Sequence, residues 1–221
     1  MKTAAIIVAA GSGSRFKSET PKQFLEIGGK RVINHTLERF QAAPSIDTII
    51  LVLSEDQVKS FDRPTVDKLT NVVPGGLNRA ESVRNGLNAV GTDVGIVVVH
   101  DGARPLVTVD EIERTIAKAI ETGAACLAAS LTDTIKSISG GEIAATLDRA
   151  KLCRALTPQA FKIEVLRAAF LKADLTDSVT DECYLVEKLG HPIAIVEGSS
   201  RNIKITHPED LVLAEALIRN G

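Results

Sequence analysis

The sequence predicts an α/β fold: a mostly parallel, twisted sheet with helices on both faces and a protruding β-hairpin arm. Three observations carry this. Apolar runs of strand length recur along the chain and are continuous rather than alternating, as in strands covered on both faces. The stretches between them carry helix start and stop signals. One polar segment instead has two short strand-like halves around a Gly-Gly pair.

The apolar runs lie at 4–9, 48–53, 95–100, 124–130 and 192–197. Ser54-Glu55-Asp56-Gln57 and Thr108-Val109-Asp110-Glu111 have capping-box spacing, and Gly123 is placed to end the second of these helices. Thr180-Asp181-Glu182 opens a helix that stops at Gly190, and Thr206-His207-Pro208-Glu209 opens the last one. Strand–helix alternation of this kind builds a layered α/β sheet. The exception is 134–147, a hairpin turning at Gly140-Gly141 that is too short and polar to fold alone. It is expected to reach a second subunit or to cover the active site as a flap. With no linker, repeat or low-complexity tract, the 221 residues read as a single domain with an arm at about 133–149.

Composition removes several function classes. A formal net charge of -2 argues against nucleic-acid binding through bulk positive charge, and one Tyr, six Phe and no Trp supply no base-stacking platform. Three widely spaced cysteines, Cys126, Cys153 and Cys183, form no C-x-x-C pattern, so neither a zinc site nor a disulfide framework is expected. The first strand begins almost at once and no apolar run is long enough to span a membrane, so the expected location is cytoplasmic.

The loop after the first strand, Ala9-Ala10-Gly11-Ser12-Gly13-Ser14-Arg15-Phe16, followed by Pro21-Lys22-Gln23, points to an anionic ligand. Glycines let backbone N–H groups approach such a ligand, and Arg and Lys supply positive charge. A Walker A loop is excluded because Phe16 stands where its second glycine belongs. The dinucleotide fingerprint fails at the same residue. It also wants an acidic residue roughly 20 positions on, whereas the second strand ends at Ser54-Glu55-Asp56, about twice as far away. Two readings remain on the residues alone: a loop wrapped around a nucleoside triphosphate, or a tight turn with two solvated cations.

The string Ala9-Ala10-Gly11-x-Gly13-x-Arg15-x(6)-Lys22-Gln23-Phe24-Leu25 resembles the signature of the 2-C-methyl-D-erythritol 4-phosphate cytidylyltransferases of the non-mevalonate isoprenoid pathway. Gly75-Gly76-x-x-Arg79-x-x-Ser82-Val83 is similar to that family's cytidine-binding segment. Val99-His100-Asp101-Gly102-Ala103-Arg104-Pro105 is similar to its metal-binding strand end. Asp133-Thr134, Leu156-Thr157-Pro158-Gln159, Thr180-Asp181-Glu182 and Asn202-Ile203-Lys204-Ile205-Thr206-x-Pro208-Glu209-Asp210 follow in the family's order. Leu77-Asn78 departs from the polar or acidic pair many relatives carry, and no Trp accompanies Cys153-Arg154-Ala155.

The resemblance implies a Rossmann-like fold and a Mg²⁺-dependent transfer of a cytidylyl group from CTP to methylerythritol phosphate, releasing pyrophosphate. Arg15, Lys22 and Lys204 become the catalytic cations. Ala9, Ala10, Gly11, Gly13, Gly76, Arg79 and Ser82 become CTP contacts. Asp101, Arg104, Thr134, Arg149, Thr180 and Lys204 become substrate contacts, with Asp101 also the Mg²⁺ ligand and His100 structural. Thr134 and Arg149, at the two roots of the arm, are implied to act across a homodimer, with Arg149 gripping the substrate phosphate. Two other functions compete. A cytidylyltransferase for another sugar-alcohol phosphate, such as ribitol 5-phosphate, is disfavoured by Ala9-Ala10-Gly11, where such relatives tend to have Ala-Gly-Gly. A nonenzymatic nucleotide-binding regulator is disfavoured by Arg15 and Lys22 standing beside Asp101.

Overall fold

In the computed structural model, which describes residues 1–11, 16, 20–175 and 179–219, β1 (Lys2–Val8) leads to a small ribbon of β2 (Glu26–Ile27) and β3 (Lys30–Arg31). Then come α1 (Val32–Ala42), β4 (Thr48–Leu53), α2 (Glu55–Ser60), β5 (Leu69–Pro74), α3 (Arg79–Asn88) and β6 (Val94–Asp101). The second half holds α4 (Val109–Thr122), β7 (Ala124–Ser130), β8 (Lys136–Ser139), β9 (Glu142–Thr146) and β10 (Cys153–Lys162). It ends with α5 (Ile163–Lys172), α6 (Glu182–Lys188), β11 (Ala194–Glu197) and α7 (Pro208–Arg219).

Seven strands form one sheet in the order β11-β7-β10-β6-β1-β4-β5. All its pairings are parallel except those of β10, which runs antiparallel to β6 and β7. Strand parity explains the continuous apolar runs. In β1, Ala5 and Ile7 pack on one face with Leu37 and Phe40 of α1 and with Ile112 and Ile116 of α4. Ala4 and Ile6 pack on the other face with Val83 and Leu87 of α3 and with Leu166 of α5. Both faces are buried, so the residues at both register positions from Ala4 to Ile7 are apolar. A third cluster, with Phe16, Ile27, Val32, Ala103 and Ile205, seats Ala214 of α7 over the carboxyl edge of the sheet.

The helix ends follow their sequence signals, with one exception. Ser54 with Gln57, and Thr108 with Glu111, form capping boxes, and Gly123 closes α4 at a φ of 91°. Asp181 caps α6 by accepting from the Tyr184 amide at 2.9 Å. For α7 the oxygen comes from inside the helix: Asp210 Oδ2 accepts from the Thr206 and His207 amides at 2.7 and 2.8 Å. The hairpin forms as β8 and β9, with Gly140 and Gly141 at φ 60° and 85°, the geometry of a two-residue primed turn. It stands off the body with Ile138 76% and Ile143 67% exposed.

From β1 the chain winds outward through β4 and β5, then returns to lay β6 on the other side of β1. The carboxyl ends of β1 and β6, where Val8 pairs with Asp101, therefore flank a topological switch point. Open parallel sheets leave a crevice at such a point.

Candidate active site

That crevice is an open cavity of about 400 Å³, walled by the loop after β1, the loop before α3, the end of β6 and the segment around Lys204. Ala9, Ala10, Gly11 and Lys22 line its first wall, Gly76, Arg79 and Ser82 its second, and Asp101 and Lys204 its floor.

Asp101 is the charged centre of the floor. It ends a strand buried on both faces and is itself only 6% exposed. Its Oδ1 lies 3.2 Å from Arg79 Nε. Its Oδ2 lies 3.2 Å from Arg104 Nε and 2.9 Å from Lys204 Nζ. Burial pushes the Asp101 pKa up, but Arg79, Lys204 and Arg104 together outweigh it and hold the carboxyl well below the usual carboxylate range. Arg79 turns its other edge to a second carboxylate, with Nη1 and Nη2 at 2.7 and 3.1 Å from the two oxygens of Glu182. Burial opposes the Arg79 charge, yet Glu182 and Asp101 overcome it and raise its pKa. Three cations against two carboxylates leave this floor one positive charge in surplus, which draws an anion into the crevice.

His100 does not take part in this charge balance. It is fully buried, with Nδ1 3.0 Å from Thr157 Oγ1 and Nε2 3.1 Å from the Arg104 carbonyl. Desolvation pushes its pKa down to about 3, leaving a neutral ring that braces the turn after β6. Gly102 in that turn admits no side chain, since a Cβ would sit 2.9 Å from Ala9 Cβ and 2.8 Å from Ile33 Cδ1.

The second wall is a shaped backbone. Ser82 Oγ donates to the Asn78 carbonyl at 2.8 Å and accepts from the Gly76 amide at 3.1 Å. Asn78 caps α3 by accepting from the Glu81 amide, and Glu81 in turn accepts from the Leu77 amide. Ser82 thus spends its hydroxyl on the loop, and its link to the pocket runs through the Gly76 backbone. Leu77 stands at the lip of the cavity, 98% exposed.

Lys22 opens a short 3₁₀ turn directly after Pro21, whose fixed φ sets the entry. The next residue anchors it. Gln23 is 2% exposed, and its Nε2 donates to the Ala9 carbonyl at 2.7 Å, with the Gly11 carbonyl at 3.4 Å. One buried amide thus ties the end of the loop after β1 to its beginning. Replacing Gln23 with Glu puts an acceptor against two carbonyls. If this loop holds the nucleotide that the resemblance implies, that change should raise the KM for it roughly tenfold, by the weight of a lost buried hydrogen bond, and leave the KM of the other substrate unchanged. Steady-state kinetics with each substrate varied in turn checks this.

Lys204 is held from two sides. The Ile205 amide donates to the Ala103 carbonyl at 2.9 Å, and buried Asn202 donates Nδ2 to the Thr157 carbonyl at 2.9 Å. Arg104 reaches the floor through Asp101 and also donates Nη1 to the Asn202 carbonyl at 2.9 Å. Thr134, Arg149 and Thr180 do not line the cavity of this chain. They are exposed, and Arg149 donates to the Thr132 carbonyl across the root of the hairpin. Gly13 and Arg15 lie outside the described residues. The residue that sequence reasoning left without a role is Glu182, read as part of a helix start and of a family motif but given no contact of its own. The signal was available: it shares a helix face with buried Leu185 and Val186, where a carboxylate needs a partner.

A family model for 2-C-methyl-D-erythritol 4-phosphate cytidylyltransferase matches residues 3–220. Proteins of that name from Syntrophus aciditrophicus and Pelotomaculum thermopropionicum are 44% and 42% identical to this chain. Each match covers 99% of this chain, and 96% and 94% of those proteins respectively. The crystal structure of 2-C-methyl-D-erythritol 4-phosphate cytidylyltransferase from Thermus thermophilus aligns with a TM-score of 0.81 at 34% identity, over 99% of this chain and 100% of that one. A 4-diphosphocytidyl-2C-methyl-D-erythritol synthase from Anaerococcus prevotii aligns at 0.83 and 30%, over 99% and 96%. With the cationic crevice at the switch point, and with likeness running from end to end in both sequence and fold, the chain belongs to the 2-C-methyl-D-erythritol 4-phosphate cytidylyltransferase family.

Proposed function

We propose that this enzyme transfers the cytidylyl group of CTP to 2-C-methyl-D-erythritol 4-phosphate, and that the chain works as one nucleotidyltransferase domain with a dimerising arm. An oxygen of the sugar phosphate forms a bond to the α-phosphorus of CTP. The α–β bridging bond breaks, and pyrophosphate leaves with its electron pair. Both reactants are anions, so the reaction depends on positioning and on cationic stabilisation more than on a protein nucleophile. The observation that carries the reading is the floor around Asp101, with its surplus positive charge beneath a cavity that Lys22 also lines. In this reading Arg15 and Lys22 flank the α-phosphate, while Ala9, Ala10, Gly11, Gly13, Gly76, Arg79 and Ser82 shape the CTP pocket. Asp101 and Lys204, which line the cavity, face the sugar phosphate, Arg104 supports them through Asp101, and Thr180 is assigned to that substrate by the family resemblance alone.

Mg²⁺ fits this floor as an ion held chiefly by the triphosphate. Among the described residues no group of three His, Cys, Asp or Glu side chains could hold a metal on its own. Asp101 offers one buried, ionised carboxylate, and Mg²⁺ is commonly bound by one or two carboxylates together with phosphate oxygens. Bound there, the ion would neutralise phosphate charge. Lys204, its side chain 34% exposed against 23% for Arg79 and 12% for Arg104, is the cation best placed to turn from Asp101 to the phosphates.

The arm supports a homodimer with a shared site. Ile138, Ile143, Leu147 and Leu152 are all exposed on or beside it, more apolar surface than a free hairpin keeps in water. In the dimer, Thr134 and Arg149 enter the neighbouring cavity and Arg149 grips the sugar phosphate. We expect Arg149→Ala to raise the KM for the sugar phosphate by about tenfold or more, on the scale of a charge-assisted hydrogen bond, while the KM for CTP stays put. Changing Ile138 and Ile143 to Ser should shift the solution mass toward monomer, read by light scattering. The free thiols of Cys126, Cys153 and Cys183 suit a reducing cytoplasm, and among the described residues no helix is long and apolar enough to cross a membrane.

A pyrophosphate-release assay tests the function. CTP with 2-C-methyl-D-erythritol 4-phosphate should release pyrophosphate with Mg²⁺ present, and ribitol 5-phosphate should not substitute. Release with ribitol 5-phosphate alone, or with neither acceptor, would overturn the reading.

A further inference from the structure

Glu182 is a buried charge that the reaction as drawn does not use. Its side chain is 0% exposed, and it stands in the first turn of α6, 103 positions in sequence from Arg79. A carboxylate in such a place is costly unless fully paired, and here both of its oxygens are taken by the two Nη atoms of Arg79. That fork-to-fork contact fixes the plane of the guanidinium. With both Nη atoms committed, the remaining edge of Arg79 points its Nε at Asp101 Oδ1, 3.2 Å away. Arg79 also lines the nucleotide cavity and keeps 23% of its side chain exposed, so without an anchor it would be free to rise toward an incoming triphosphate.

We infer that Glu182 is a positioning residue for cytidylyl transfer: it pins Arg79 in the floor, so that Arg79 holds Asp101 in place and does not clamp the nucleotide. The inference rests on the function proposed above and adds a division of labour among the cations. Lys204, its side chain the most exposed of the three floor cations, is left to follow the phosphates, and Arg79 is kept from doing so. An Arg79 released onto CTP would strengthen nucleotide binding in the ground state without helping the transition state, and such binding does not raise kcat. Two features of α6 keep the anchor rigid. Asp181 caps the helix and also accepts from Gln159 Nε2 at 2.9 Å, and Gln159 Oε1 accepts from the Cys183 amide at 3.1 Å. Glu182 is thus held on both sides by residues that do not reach the cavity.

The test is Glu182→Gln, which keeps the shape and one acceptor but removes the charge, leaving three cations against one carboxylate. We expect kcat to fall about tenfold or more, the usual scale for an outer residue that orients a reacting one. CTP affinity measured calorimetrically without a divalent cation should rise severalfold, as Arg79 turns to the triphosphate. A protein with lower kcat and weaker, or unchanged, CTP binding would show Glu182 to be merely structural and overturn the inference; so would kcat within twofold of the parent. If Glu182→Gln does not fold, Arg79→Lys serves instead. It keeps the charge but loses the fork, and it should reproduce the loss of kcat; full turnover in that variant would equally overturn the proposal. Parent enzyme that releases no pyrophosphate from CTP and the sugar phosphate would defeat the function itself, a result distinct from either variant's.

Discussion

Lys22→Ala is expected to lower kcat by about a hundred- to a thousandfold, the scale for removing one fixed charge from a developing oxyanion, while leaving a folded protein. The fold should survive because Lys22 is only half-buried and belongs to none of the three apolar clusters. The support beneath it is stiff. Pro21 sets the entry to the turn, Gln23 is bonded to the Ala9 carbonyl, and the Phe24 ring packs 6.2 Å from that of Phe61. A cation on such a base is preorganised, and its charge need not be gathered at the moment of reaction. If Lys22 acts mainly on the transition state, kcat and kcat/KM fall together and the KM for CTP moves little. A raised KM with kcat intact would instead make Lys22 a uniform binding group and remove it from the chemistry. Steady-state kinetics, with circular dichroism as the control for folding, separates these outcomes.

The parts of the molecule that obey local rules were legible in the sequence. The runs at 4–9, 48–53, 95–100, 124–130 and 192–197 coincide within two residues at either end with β1, β4, β6, β7 and β11. Four of these lie inside the sheet and are apolar on both faces, and the fifth, β11, borders it. The hairpin also read correctly, because Gly140-Gly141 accepts the positive φ its turn requires. Of the seven strands of the main sheet, two did not announce themselves, for opposite reasons. β5 is the other edge of the sheet, so Thr70 and Asn71 face water and break the apolar run. β10 is central, but Thr157, Pro158 and Gln159 interrupt its pattern, and a register irregularity between Ala155 and Gln159 accommodates them. Those polar residues are there for the site: Thr157 Oγ1 accepts from the Asp101 amide, and Gln159 braces α6. The candidate site divides the same way. Glycine loops and strand-end acids are short-range motifs and could be read directly. The Arg79–Glu182 pair joins residues from distant parts of the chain, and no periodicity encodes a contact that only the folded sheet creates.

Asp101→Asn is expected to be the most damaging single change, with kcat/KM reduced by about a thousandfold or more, since it removes the buried carboxylate on which three cations converge and, with it, the metal ligand proposed above. Three cations converge on this carboxylate, and each responds differently to its loss. Arg79 keeps Glu182, and Arg104 keeps the Asn202 carbonyl, so both stay folded into the floor. Lys204, its side chain a third exposed, has water within reach. The protein should therefore remain folded at a lower melting temperature, because losing the shared carboxylate leaves positive charges facing one another. The dependence on Mg²⁺ proposed above separates a ligand role from general disruption. An amide oxygen is a neutral, weaker ligand than a carboxylate, so residual activity should saturate only at a higher Mg²⁺ concentration, roughly tenfold above the parent on the scale seen for altered metal sites. CTP affinity without metal should hold or improve, since the floor becomes more positive. Activity within tenfold of the parent at the parent's own Mg²⁺ optimum would mean that Asp101 only neutralises its neighbours, and the metal would have to be held without it.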